Sequence, residues 1–253
     1  MNECYVGEIK NNNFGTPMKI VAINRKSDIC VQFLDEFGYI KKHVTYQNFK
    51  RGQIKNPYDK TIFNVGYLGV GKYMARESSE GNTREYHIWH NVLKRCYAEQ
   101  HKEMYPAYYG VCTVCKEWLN FQNFAEWYHN NYYEVNERLH IDKDILFPGN
   151  KVYDPKHCIL VPQKINALFI CQINKSGLPN GIKVTNTGRY MATYNGKHLG
   201  TFDIMTEAYK VHAIAKERAI KIIAEEYRNI VPTKVYDALI NYRMPKIQNE
   251  EEI

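Results

Sequence analysis

Two short segments joined by Asn195-Gly196 constrain the fold of this chain more than any other feature. An Asn-Gly pair between alternating segments is typical of a two-residue β-hairpin, because both residues accept the positive φ that such a turn needs. A further turn at Asn186–Gly188 places another strand before the hairpin. The predicted strands are Gly181–Thr185, Arg189–Tyr194 and His198–Phe202.

A helix is predicted over residues 206–227, with Asp203 or Thr206 as its N-cap. Its apolar stripe would cover one face of the three-stranded sheet. The stripe is predicted to consist of Ala208, Val211, Ile214/Ala215, Arg218/Ala219 and Ile222/Ile223.

The uncovered face of this sheet is predicted to be polar and basic, with a width that fits the major groove of DNA. A solvated sheet face without a partner is the alternative. The residues assigned to this face are Lys183, Arg189, Thr193, Asn195, Lys197 and His198.

The stretch from Leu139 to Asn166 concentrates polar residues at the ends of two short strands. The strands are separated by a Pro-Gly-Asn turn, and a helix is predicted to start near Pro162. Compact ββα units of this kind gather metal ligands or nucleic-acid contacts at one end. The polar residues are Asp142, Asp144, Asp154 and His157.

The first 65 residues predict a small β-rich module that resembles SH3-like barrels. Its strands are placed at Lys19–Ile23, Ile29–Phe33 and Tyr39–Val44. The glycines of Gly66–Gly71 do not lead directly into a helix, so we predict a linker strand there rather than a phosphate-binding loop. Amphipathic helices are predicted over 84–99 and 120–130, with a short strand at 111–114 between them, and a last helix over 233–244.

The sequence therefore predicts an α+β protein with three parts. Residues 1–70 form the β-rich module, residues 71–172 a ββα-metal-like central domain, and residues 173–253 a three-stranded antiparallel sheet packed on a helix. Residues 172–180 read as the last boundary.

The positive charge is concentrated at the two ends of the chain. Residues 1–75 and 176–246 each carry 11 Lys or Arg against 6 Asp or Glu, whereas residues 76–175 carry 12 of each. This pattern favours arms that hold a polyanion, although a basic protein without such a partner is the alternative.

No signal peptide or membrane span is expected, and seven irregularly spaced cysteines favour a reducing cytoplasm. Cys112 and Cys115 have a zinc-like spacing, but alternation along a strand would point them to opposite faces.

The segment Arg189–Glu217 resembles the sheet-plus-helix DNA-binding domain of plant ethylene-response factors, which also occurs in phage and homing endonucleases. The resemblance covers about 50 residues and depends on Gly181-Ile182, Tyr190, Ala192, the Asn-Gly turn, Leu199–Phe202 and Glu207-Ala208. It implies contacts to bases and phosphates from Lys183, Thr193, Asn195 and His198.

Residues 84–169 resemble phage-encoded proteins of the HNH endonuclease class. The matching residues are Trp89, Arg95–Tyr97, Tyr109-Gly110, Val114–Trp118, Phe121–Phe124, Ile141–Asp144, Gly149-Asn150, Tyr153–Pro155, Cys158 and Asn166. The resemblance implies metal-dependent hydrolysis of duplex DNA, with Mg²⁺ as the expected metal.

The resemblance implies catalytic roles for Asp142, His157 and Asn166, with Asp142 and His157 as metal ligands. Asp144, on the same strand face as Asp142, is either a further metal ligand or a strand-end cap. The chain departs from the family at Lys143, where a histidine is usual. A lysine with an ordinary pKa of about 10.4 is protonated at neutral pH and is not a general base. His140, two residues before Asp142 on the same strand, is the candidate replacement.

Three functions stay open on the sequence alone. The first is a phage-type HNH endonuclease that acts on double-stranded DNA, and the second is a DNA-binding protein without catalysis. The third is a phage protein that binds a host or phage protein and antagonises host defence.

Overall fold

Alternating apolar side chains build an antiparallel sheet in the N-terminal part of the protein. Met18, Ile20, Ile29, Val31 and Phe33 are fully buried, and the residues between them are more exposed. The strands pair in chain order. They are β1 (Ile9–Asn11), β2 (Pro17–Arg25), β3 (Asp28–Phe33) and β4 (Ile40–Val44), followed by helix α1 (Tyr46–Lys50).

The structure is a computed structural model, and it describes residues 5–25, 27–77, 81–169 and 177–247. Contacts divide the chain into two units, Met1–Trp127 and Tyr128–Ile253. The predicted three-part division stays a prediction, and residues 172–176 of its last boundary lie outside the described residues. No helix among the described residues is long and apolar enough to cross a membrane.

Aromatic side chains form a core around two helices between residues 84 and 131. Trp89 and Phe121 pack with ring centroids 5.4 Å apart, and the indole N–H of Trp89 donates to the backbone oxygen of Trp118 at 2.6 Å. Both helices were predicted from their apolar spacing. This part contains β5 (Arg76–Glu77), β6 (Gly81–Asn82), α2 (Arg84–Tyr97), β7 (Thr113–Val114) and α3 (Phe121–Asn131).

The linker strand predicted at Gly66–Gly71 is wrong. Only isolated bridges occur there, at Gly66 and Tyr67. Gly69 has a φ of +69°, which interrupts an extended chain.

The ββα unit predicted in the second half of the chain is confirmed. Its two principal strands pair antiparallel, with Asp142 opposite Ile159, and Ile165 of the following helix is buried in the same core as Ile159 and Val161. The elements are β8 (Leu139–Asp142), β9 (Val152–Tyr153), β10 (Ile159–Pro162) and α4 (Gln163–Phe169).

The three-stranded sheet with its covering helix is also confirmed. Asn195 and Gly196 have φ values of +47° and +74°, as the Asn-Gly hairpin requires. Ile182 and Ala192 of the sheet are buried against Ala208 of the helix. This part contains β11 (Ile182–Val184), β12 (Tyr190–Tyr194), β13 (Lys197–Phe202), α5 (Met205–Glu226) and α6 (Thr233–Ile240).

The predicted stripe of α5 is wrong at two of its large residues, because Ile214 and Ile222 are 59% and 53% exposed. The buried residues are separated by four or eight positions instead: Ala208, His212, Ile220 and Ala224. The predicted cap is wrong as well. Ile204 occupies the N-cap position without a side-chain hydrogen bond, and Asp203 pairs with Arg189 instead.

Helix α5 contributes to two separate cores. Near its start, Ala208 packs against the three-stranded sheet. Near its end, Ile220 and Ala224 pack in one cluster with Ile159 and Val161 of β10. The sheet and the ββα unit are therefore covered by the same helix.

Candidate functional site

The carboxylate of Asp142 holds the turn that follows β8. Its Oδ1 accepts hydrogen bonds from the backbone N–H of Asp144 at 2.8 Å and of Ile145 at 2.7 Å. Burial raises the pKa of Asp142 above its usual value, and these two hydrogen bonds oppose part of that effect. Asp142 therefore has a structural role, because its Oδ1 accepts the hydrogen bonds that fix this turn.

The side chain of Lys143 turns into the protein instead of into solvent, and it is only 6% exposed. Its Nζ donates to both carboxylate oxygens of Asp144, at 2.8 and 2.7 Å, and to the backbone oxygen of Asn150 at 2.6 Å. A buried ammonium requires such partners, because the loss of hydration is costly.

Asn150 closes the loop around this ammonium. Its Nδ2 donates to the backbone oxygens of Lys143 at 3.1 Å and Val152 at 2.7 Å, and its Oδ1 accepts from the N–H of Val152 at 3.0 Å. The predicted Pro-Gly-Asn turn thus positions the carbonyl group that binds Lys143.

His157 is oriented by Asp154. Its Nδ1 lies 2.8 and 2.7 Å from the two carboxylate oxygens, and Asp154 also accepts from the N–H of Lys156 and of His157 itself. Burial alone would raise the pKa of Asp154, but the hydrogen bonds from His157 outweigh it, so this pKa is lowered. With Nδ1 committed to Asp154, Nε2 is the ring nitrogen left for a ligand.

The predicted metal ligands do not come together as a cation site in this arrangement. Asp142 is bonded to two backbone N–H groups, Asp144 to the Lys143 ammonium, and His157 to Asp154. No three His, Cys, Asp or Glu side chains are grouped to hold a metal ion anywhere in the described part of the chain. These residues, as placed, do not fit a divalent metal.

The other two predicted catalytic residues are on separate elements. His140 is partly buried on β8, opposite Val161, and Asn166 is partly buried on α4. The catalytic roles of His140, Asp142, His157 and Asn166 stay predictions.

The uncovered face of the C-terminal sheet follows from its register. Ile182 and Ala192 face α5, so the neighbours that alternate with them face away. Lys183 is paired with Met191, and His198 with Thr193. Three of the residues predicted for this face therefore lie on it, Lys183, Thr193 and His198. The structure adds Met191 to the same face.

The remaining three predicted DNA contacts have different positions. Arg189 donates to Asp203 Oδ1 at 2.6 Å, so its charge is partly compensated. Lys197 is paired with Tyr194, and the ring of Tyr194 lies against His212 of α5. Because paired residues share a face, Lys197 is on the face of the sheet that α5 covers. Asn195 is in the turn itself.

His212 is a residue that the sequence analysis missed. It is buried, and its Nδ1 lies 2.7 Å from the backbone oxygen of Thr193. Its position four residues after Ala208 could have indicated that it lies on the buried face of α5. A histidine in such a pattern is easily assigned to the solvent-exposed face instead.

Comparisons with family models, curated proteins and solved structures found no match for this chain.

Proposed function

We propose that this protein binds duplex DNA through the uncovered face of its C-terminal sheet and that its ββα unit is a structural scaffold. The observation that carries the proposal is the one-sided construction of the sheet. Ile182 and Ala192 face α5, whereas Lys183, Thr193 and His198 are on the other face together with Met191. A narrow, polar sheet of this kind matches the dimensions of a major groove.

The charge distribution supports the same conclusion. Residues 176–246 carry 11 Lys or Arg against 6 Asp or Glu. Such an excess attracts phosphates without regard to sequence, and the resulting affinity falls with increasing salt.

The scaffold role is supported by the contacts of Asp142 and Lys143. Both side chains are buried and engaged by the loop that follows β8. Groups that are used to hold a loop are poor candidates for reacting with a substrate.

Fluorescence anisotropy with a labelled duplex over a series of salt concentrations tests the proposal. Lys183→Ala is expected to weaken binding and to reduce the slope of log affinity against log salt by about 1. Lys210→Ala, an exposed lysine on the helix that covers the other face, removes the same charge and is the control. Equal effects of the two substitutions would contradict the placement on the sheet.

Hydrolysis is the second candidate function, and one observation favours it. His157 is held by Asp154, and an imidazole oriented by a carboxylate is a common general-base arrangement. Plasmid incubated with the protein and Mg²⁺ or Mn²⁺ distinguishes the two functions. The scaffold role predicts intact supercoiled plasmid. Nicking by the wild type that is lost in both His157→Ala and Asp142→Ala would contradict the scaffold role and support a nuclease function.

A further inference from the structure

The Lys143 ammonium occupies a pocket made of oxygen atoms. Two of them belong to the Asp144 carboxylate and one is the carbonyl oxygen of Asn150, all within 2.6 to 2.8 Å of Nζ. The lysine is therefore bound by the type of atoms that also bind hard metal ions, namely carboxylate and carbonyl oxygens.

The pocket is formed by a loop whose backbone is fixed independently of the lysine side chain. Asp142 accepts from the N–H groups of Asp144 and Ile145 at one end, and the side chain of Asn150 bonds to Val152 at the other. Removing the side chain of Lys143 beyond Cβ would leave these contacts in place. It would also leave a carboxylate and a carbonyl group directed at a vacated volume.

We infer that Lys143 is the internal cation of this loop, and that its removal opens a binding site for a small external cation. The ammonium supplies the positive charge that neutralises Asp144 and satisfies the carbonyl oxygen of Asn150. It also excludes a divalent ion from the same pocket, because two positive charges would share one set of ligands. The site goes beyond DNA binding and does not depend on it.

Methylammonium is the probe of choice, since it reproduces the end of a lysine side chain. Lys143→Ala is expected to lower the melting temperature by about 5 °C, because a carboxylate and a carbonyl group lose their partner. Methylammonium chloride should raise the melting temperature of Lys143→Ala relative to the same concentration of tetramethylammonium chloride, which is too large to enter. The wild type should not show this difference.

Two further variants serve as controls. Lys143→Met fills the same space without a charge, so it should be destabilised but should not respond to methylammonium. Lys151→Ala removes an exposed lysine from the same loop and should behave as the wild type. If Lys143→Ala does not fold alone, refolding yield with and without methylammonium is the readout.

Isothermal titration of the wild type and of Asp144→Asn with Mn²⁺ provides a second test. No binding is expected at this loop. The inference is overturned if the wild type binds Mn²⁺ and this binding is lost in Asp144→Asn. It is also overturned if methylammonium restores neither the stability nor the refolding of Lys143→Ala.

Discussion

His212 Nδ1 lies 2.7 Å from the backbone oxygen of Thr193, which connects the first half of α5 to the middle strand of the C-terminal sheet. The ring also fills the space next to Gly181. A Cβ built on Gly181 would come within 2.1 Å of His212 Nδ1 and 2.6 Å of the Thr193 oxygen. Helix and sheet therefore meet here without room for a side chain.

Gly181→Ala is expected to destabilise the C-terminal sheet strongly. The substitution adds both a clash with His212 and the strain of a φ of +81°. Gly188→Ala is the matched control, because Gly188 has a φ of +79° and nothing within 4 Å of its Cβ position. Urea unfolding should show a loss of about 1 kcal/mol for Gly188→Ala from backbone strain, and a clearly larger loss for Gly181→Ala. Equal losses would mean that the helix yields at little cost.

His212 should also make stability depend on pH. Burial lowers the pKa of His212, a hydrogen bond to Thr193 opposes this, and nearby Lys216 lowers the pKa further. The unfolded chain then takes up a proton near pH 6.5 that the folded protein resists, so stability falls as the pH decreases through about 6.5. His212→Asn keeps an N–H donor but does not titrate. Its free energy of unfolding between pH 8 and 5 should fall less than that of the wild type, and parallel curves would refute the assignment.

Two substitutions of Asp142 separate the contribution of its hydrogen bonds to stability from that of its charge. Asp142→Ala leaves the buried N–H groups of Asp144 and Ile145 without their acceptor, at a cost of about 2 kcal/mol. Asp142→Asn keeps an oxygen acceptor and removes a buried carboxyl group, whose pKa is raised by burial. It should therefore be at least as stable as the wild type at pH 7, as measured by urea unfolding. An asparagine variant as unstable as the alanine variant would show that the charge itself is required.

Asp203 should restrain DNA binding. It pairs with Arg189 and adds a negative charge next to the proposed DNA-binding face. Asp203→Asn is expected to increase duplex affinity by several fold at low salt and by less at high salt, because salt screens exposed charges. Asp237→Asn, at an exposed position on α6, changes the net charge equally and is the control. A gain of the same size in both variants would indicate only a general charge effect.

Much of the fold follows from local sequence signals. The Asn195-Gly196 turn and the short apolar runs Lys19–Ile23 and Ile29–Phe33 act within a few residues, so the hairpin and the strands β2 and β3 could be predicted. Strand β1 could not, because all three of its residues are exposed and carry no apolar alternation.

The parts that could not be predicted depend on distant partners. Ile214 and Ile222 look suitable for the inner face of α5, but the two cores that the helix covers select a different face. In the same way, Lys143 was recognised only as a departure from a catalytic pattern. Its inward direction depends on where the carbonyl group of Asn150 is placed by a loop seven residues away.

The double use of α5 has a consequence for how this protein could be altered by recombination. Its 22 residues extend about 33 Å, and the last turns supply part of the core of the ββα unit. A C-terminal sheet transferred with the whole of α5 would remove Ile220 and Ala224 from the ββα unit and leave that core incomplete. The C-terminal sheet is thus not an exchangeable cassette, and the two elements are expected to be inherited together.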